Sequence, residues 1–142
     1  MKPEETIDFH IRWAWLKIAK MYNQEAAEHG MTHTVGMALL NINPKEGTPS
    51  TQLGPAMGME PTSLTRTLKS MEERGLIVRE QDEHDKRVVR IKLSSEGKRL
   101  RNISKKTVVG FNEELIREIG EDRMEMFREV IQVIHQHTMK TS

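Results

Sequence analysis

No cysteine occurs anywhere in the chain, and that absence removes disulfides, thiolate metal ligands and thiol-based redox sensing together. Apolar runs long enough to span a bilayer are missing too. The opening Met1-Lys2-Pro3-Glu4-Glu5 lacks the apolar stretch of a secretion signal. No glycine-rich loop with a trailing lysine is present, so nucleotide hydrolysis has no visible machinery. Internal repeats and low-complexity tracts are likewise absent. What remains, at 142 residues with 30% charged and 36% hydrophobic, is the composition expected of a soluble, cytoplasmic, single-domain protein.

An excess of charge is also lacking, at +1 overall, until the chain is divided. Residues 61–101 carry 11 Lys and Arg against 7 Asp and Glu, whereas the remainder carries 11 against 14. Positive charge is concentrated in one segment, as expected where a protein meets phosphates, and the acidic remainder discourages indiscriminate coating of nucleic acid.

Catalytic and metal chemistry find little support. His135 and His137 are two apart and would point about 200° from each other on a helix, which is wrong for sharing a metal. His29 and His33 are four apart, but Gly30 and Thr32 break the helix between them. Neither a metal nor a cofactor is expected. Ser94-Ser95 has no paired histidine and reads as the N-cap before Glu96. Met57, Met59 and Met71 read as adaptable core packing. An enzyme would need polar groups converging in a cleft, and the sequence displays none.

The basic segment has a definite order. Pro61 suits a first helical position, and Leu64, Leu68 and Met71 form one apolar stripe for a core. The opposite face carries Thr62, Arg66 and Lys69, flanked by Ser63, Thr65 and Ser70, while Glu73 lies nearer the C-terminal end. Short hydroxyls and long cations suit base edges and phosphates in a major groove. Gly75 ends the helix as a residue able to take a left-handed conformation. Leu76-Ile77-Val78 opens a strand, and Val88, Val89, Ile91 and Leu93 make its partner. Between them the polar run Asp82–Arg87 is too charged for a core. Lys86 and Arg87 at that tip are suited to the negative potential of a minor groove, with Asp85 holding the Arg87 guanidinium by a charge-assisted hydrogen bond.

Around this segment the pattern predicts a long helix over 6–29 and a second over Thr34–Ile42. A turn-rich linker, Lys45–Pro49, is followed by a short helix over Ser50–Met57. Two further helices are predicted over Ser95–Gly120 and Glu121–Thr138. Ile7, Ile11, Trp13, Trp15, Leu16, Ile18, Met21 and Tyr22 occupy more than one face of the first helix. Met124, Phe127, Val130, Ile131 and Ile134 line the last. A small domain has little use for such apolar helices unless a partner covers them.

The spaced set Leu53, Gly58-Met59, Thr65-Arg66, Leu68, Met71-Glu72, Gly75-Leu76-Ile77, Arg79, Asp85-Lys86-Arg87, Leu93-Ser94 and Gly97 resembles the MarR (multiple antibiotic resistance regulator) family of winged-helix transcription factors. That family's recognition helix closes on L-E-x-x-G-L-[IV]-x-R, its wing carries D-x-R, and L-[TS]-x-x-G opens a long helix. The resemblance implies a mainly α (α+β) fold: a winged helix-turn-helix with a two- or three-stranded wing, flanked by N- and C-terminal dimerisation helices. Residues 32–99 would form the DNA-binding lobe, and residues 1–31 with 100–142 the dimerisation lobe. First and last helices of two subunits would interlock. A homodimer would then present two recognition helices about one DNA turn apart to a pseudo-palindromic operator.

By the same resemblance the chain is a ligand-responsive regulator, a repressor rather than an activator. Thr62, Ser63, Thr65, Arg66 and Lys69 would face the major groove, and Arg87 with Lys86, under the control of Asp85, the minor groove. A small amphipathic or aromatic effector would sit where His10, Trp13, Lys17, His33 and Met37 are the nearest candidates. The competing reading makes the tryptophans plain dimer core. A winged helix can also serve as a protein-interaction module without DNA readout. The chain departs from the family at Gly54-Pro55, which stands where alanine and an ordinary helix former are usual. The proline predicts a kinked or late-starting helix.

Overall fold

The computed structural model describes residues 1–139, and the chain divides into two compact units, Met1–Thr107 and Val108–Ser142. In the first unit a short 3-10 turn, Pro3–Glu5, leads into α1 (Ile7–Ala27) and α2 (His33–Asn41). A two-residue strand β1 (Thr48–Pro49), α3 (Ser50–Met57) and α4 (Pro61–Glu73) follow, then β2 (Ile77–Gln81) and β3 (Val89–Leu93). Helix α5 (Ser95–Ile119) begins in the first unit and ends in the second, which also holds α6 (Glu121–Met139). The order is that of a winged helix. Among the described residues no helix is long and apolar enough to cross a membrane.

The core of the first unit follows from apolar spacing. Thr32 caps α2 by accepting the Val35 N–H at 3.2 Å. Val35, Ala38, Leu39 and Ile42 then fall at i, i+3, i+4 and i+7 and are all buried. They meet Leu53 of α3, Leu64, Leu68 and Met71 of α4, Ile77 of β2, Ile91 and Leu93 of β3, and Leu100 of α5. Each large side chain enclosed in this way contributes about 1.5–3 kcal/mol. Met57 and Met59 pack against this cluster from its edge.

The sheet is antiparallel in the order β1-β3-β2, with Ile77 opposite Leu93, Arg79 opposite Ile91 and Thr48 opposite Ile91. The wing is therefore three-stranded. Its first strand lies inside the stretch expected to be a linker, and Asn43 builds the turn that delivers it. The Asn43 side-chain oxygen accepts the N–H groups of Lys45 and Glu46, and its own N–H donates to the Thr48 hydroxyl at 2.9 Å. The late start expected from Pro55 does not occur. Helix α3 begins at Ser50 and runs through the proline to Met57, where the ring removes only one N–H, the donor to Thr51.

Helix α4 ends in a Schellman arrangement. Gly75, at φ 73°, donates to Glu72, and the Leu76 N–H returns to the Met71 carbonyl at 2.9 Å. Met71 and Leu76 are both buried, which supplies the apolar contact that accompanies this cap. The opening of α5 locks onto the same place. Ser94 is its N-cap: the hydroxyl accepts the Gly97 N–H at 3.0 Å and donates to the Gly75 carbonyl at 2.6 Å. Gly97 lies so close to β2 that a Cβ there would sit 2.1 Å from the Leu76 carbonyl oxygen. Gly97→Ala should therefore destabilise the fold by about 1–3 kcal/mol or more through overpacking. Chemical denaturation checks this, and an unchanged midpoint would mean that α5 yields freely.

Candidate nucleic-acid interface

Thr62, Ser63, Thr65, Arg66 and Lys69 are all exposed on α4, opposite the buried stripe of Leu64, Leu68 and Met71. The Thr65 hydroxyl donates to the Pro61 carbonyl at 2.9 Å, so its proton is engaged within its own helix. The Arg66 and Lys69 side chains form no ion pair or hydrogen bond with any described residue. Toward the end of α4, Glu72 instead pairs with Arg79 of β2 at 3.5 Å. The glutamate and arginine of the closing motif thus brace helix against sheet, and α4 keeps its free cations in its first turns.

The wing tip, residues 82–88, is closed by backbone bonds from Asp82 N–H to Val88 and from Val88 N–H to Asp85. Gln81 adds a side-chain bond to the Lys86 carbonyl at 2.8 Å. Asp85 grips Arg87 in a fork, with Nε to Oδ1 at 3.1 Å and Nη2 to Oδ2 at 3.2 Å, and also accepts the Arg87 N–H at 3.1 Å. These bonds, the guanidinium's first and the backbone N–H's second, lower the Asp85 pKa. The Arg87 side chain is 90% exposed. An ion pair so exposed adds little stability; what it supplies is aim, because the guanidinium leaves the wing already oriented. Lys86 beside it is also exposed.

One pair that holds the tip, Asp82 with Arg90 of β3, escaped the reading of the sequence. Asp82 Oδ2 accepts Nη2 and Nε of Arg90 at 2.8 and 3.1 Å, while its Oδ1 accepts the N–H groups of His84 and Asp85. Arg90 reaches on to the Gly47 carbonyl at 3.3 Å, tying the tip to the turn before β1. The signal available was an aspartate and an arginine eight apart across a hairpin, and only the register makes them partners.

The residues proposed for an effector divide into two groups. His10, Trp13 and Lys17 recur at i, i+3 and i+7 along α1; the His10 ring contacts the Glu4 carbonyl at 2.7 Å, and Trp13 is about half exposed with Phe9 beside it. His33 does not join Trp13. Its ring stacks on Tyr22 at 5.4 Å and lies 5.6 Å from Trp15, residues on nearly the opposite side of α1. Burial against these rings lowers its pKa. Met37 is half-buried on α2. Among the described residues no three His, Asp or Glu side chains are grouped to hold a metal ion.

Residues 31–89, which run from the start of α2 to the start of β3, match the MarR family. That segment is similar to the MarR winged helix. SarZ, an HTH-type transcriptional regulator of Staphylococcus epidermidis, is 30% identical over 87 residues, 61% of this chain and 59% of that protein. The chain thus matches about three fifths of the length of that relative. Solved structures share the fold at lower identity. MepR of S. aureus in complex with DNA superposes with a TM-score of 0.84 at 17% identity, covering 93% of this chain and 98% of that one. CouR of Rhodococcus jostii RHA1, bound to p-coumaroyl-CoA, gives 0.79 at 22% identity, with 94% of both chains covered.

The wing carries a pH signature. The Arg90 hydrogen bond, followed by the His84 and Asp85 N–H groups, lowers the Asp82 pKa from 3.8 to about 2. The depressed folded pKa means that the stabilisation is complete above pH 3.8 and is lost as pH falls through about 2. An NMR titration should find the Asp82 carboxyl midpoint near the lower value, and Arg90→Gln should move it up. A midpoint at the ordinary aspartate value would remove this pair from the wing's support.

Proposed function

We propose that the chain is a sequence-specific, DNA-binding transcriptional regulator, not an enzyme, acting in the cytoplasm as a homodimer on a pseudo-palindromic operator. The observation that carries the reading is the wing tip, where Asp85 holds a nine-tenths exposed Arg87 in a fork, next in the chain to a helix whose outward cations are free. Such a pair of features suits a duplex: helix in the major groove, arginine in the adjacent minor groove. Thr62, Ser63, Thr65, Arg66 and Lys69 are the major-groove set, and Lys86 assists Arg87. The match of residues 31–89 to the MarR family supports this, as does the fold shared with a protein crystallised on DNA.

Dimerisation through the terminal helices is supported by the apolar surface they carry. Ile7, Ile11, Trp13, Trp15 and Leu16 of α1 are 43–55% exposed, and Met126, Phe127, Val130 and Val133 of α6 are 51–63% exposed. At about 25 cal/mol per Å² of apolar area, covering such faces with a second copy strongly favours association. Residues 32–99 are then the DNA-binding lobe, and residues 1–31 with 100–142 the dimerisation lobe. Repression needs no further device, because a dimer seated on an operator excludes other proteins. A small amphipathic or aromatic effector acting near His10, Trp13, Lys17, His33 and Met37 would release it. Ligand-bound relatives of the same fold, CouR among them, support that part.

Light scattering should give twice the chain mass. Binding to duplex DNA should weaken by about 10³–10⁵ between 50 and 200 mM salt if roughly 6–10 phosphates are contacted. Arg87→Ala should cost on the order of 1–3 kcal/mol in affinity, with an unchanged melting temperature. A monomer, or a variant that binds as tightly as the parent, would defeat the corresponding part of the proposal.

A further inference from the structure

Beside the outward face of α4 an open cleft runs between its first turns, the start of α2 and the turn at residues 58–60. Thr32 and Thr34 line it from one side, Ser63, Arg66 and Thr67 from the other, and Glu60 stands at one end. Its chemistry is dominated by donors. The hydroxyls of Thr34, Ser63 and Thr67 and the guanidinium of Arg66 bond no described residue. The Thr32 oxygen accepts the Val35 N–H but keeps its own proton to donate. Thr65, on the other flank of the helix, turns its hydroxyl back to Pro61 and contributes nothing here.

Free hydroxyls around one guanidinium form a receptor for a tetrahedral oxyanion. The cleft does not enclose a small molecule, so it suits an oxyanion presented by a large surface. Ser63, Arg66 and Thr67 stand at i, i+3 and i+4, which makes Arg66 the boundary between the cleft and the face meant for a groove.

We propose that this cleft seats a backbone phosphate of duplex DNA, with Arg66 supplying the charge and Thr34, Ser63 and Thr67 the hydroxyl donors. The inference rests on the DNA-binding reading above and deepens it. Arg66 becomes an anchor rather than a reader of bases, α2 joins the interface through Thr34, and base discrimination falls to Thr62, Lys69 and the wing.

The test uses the full-length dimer and two duplexes: one selected by the protein from a random-sequence library, and one scrambled. Affinities are measured by fluorescence anisotropy across a salt series, with circular dichroism confirming that Thr34→Val and Arg66→Ala keep the fold. Thr34→Val should weaken binding several-fold, equally on both duplexes, with an unchanged salt slope. Arg66→Ala should weaken both equally and flatten the slope by about 0.9 for each phosphate left without its cation. A neutral methylphosphonate at the position facing the cleft should erase the difference between Arg66→Ala and the parent. A loss confined to the selected duplex would make Arg66 a base reader and overturn the proposal, as would a Thr34→Val protein that binds normally. Inorganic phosphate at constant ionic strength should not displace the DNA; displacement that Thr34→Val abolishes would mean a site for a free anion instead. A parent protein that binds neither duplex would sink the DNA-binding reading itself.

Discussion

The carbonyl of Leu76 is the point through which α4, the wing and the following helix are joined. Its oxygen accepts the Ser94 N–H at 3.0 Å and lies against the bare Cα of Gly97. The N–H of the same residue closes the Schellman cap of α4 on Met71. Ser94 completes the knot by donating to Gly75 and accepting from Gly97. Apart from one serine hydroxyl, every group in it belongs to the backbone. Long side chains change rotamer at little cost, but these bonds cannot lengthen without breaking the cap of one helix and the start of another. The angle between α4 and the sheet is therefore set by the chain itself. So is the separation between the cations of α4 and the base of the wing that carries Arg87.

Farther out the wing has no core of its own, and carboxylates take over the role of packing. Asp82 turns inward across the hairpin, holding Arg90 and two backbone N–H groups, and its pKa falls to about 2. Asp85 turns outward and holds Arg87 alone. The two residues are three apart and chemically identical, yet one builds the loop and the other aims a side chain from it. The difference lies in the number of donors each finds. Every acceptor position Asp82 spends on the loop is one that keeps the tip in a single shape, and only a tip of fixed shape gives the outward arginine a direction.

That division explains what could be seen in the sequence and what could not. The apolar stripe of α4, the left-handed Gly75, the serine cap before Glu96 and the Asp85–Arg87 pair all depend on residues close together in the chain. Each carries its geometry in its spacing. Helix α3 was legible in its bounds, although Pro55 does not delay its start, because a proline near the end of a short helix removes a single bond. Strand β1 was not legible: two residues ending in proline show no alternation, and they become a strand only because Arg90 and Ile91 lie opposite. Asp82–Arg90 and the packing of His33 on Tyr22 and Trp15 depend on register and on which side of α1 meets α2. Neither leaves a local mark. Thr32 and Thr34 read only as a helix break and a helix start, because the cleft they line is completed by α4, distant in the chain.

The charge count of the segment also changes meaning once the pairs are known. Arg79, Arg87, Arg90, Lys92 and Arg99 each have a carboxylate partner, so much of the apparent excess is neutralised in place. Of the six cations left without a carboxylate partner among the described residues, Arg66, Lys69 and Lys86 project their charge from the outward face of α4 and from the wing tip. Arg87 is the instructive intermediate. Its partner Asp85 weakens its net attraction to phosphates and brings a negative charge toward a negative surface. In return the fork removes rotamer freedom before any partner arrives, and a free arginine side chain carries about 2 kcal/mol of such entropy. On the proposed reading Arg87 enters a narrow groove in one orientation, and there prior alignment outweighs a stronger but undirected charge. For Arg66 at an open cleft the balance reverses, and it stands without a carboxylate partner.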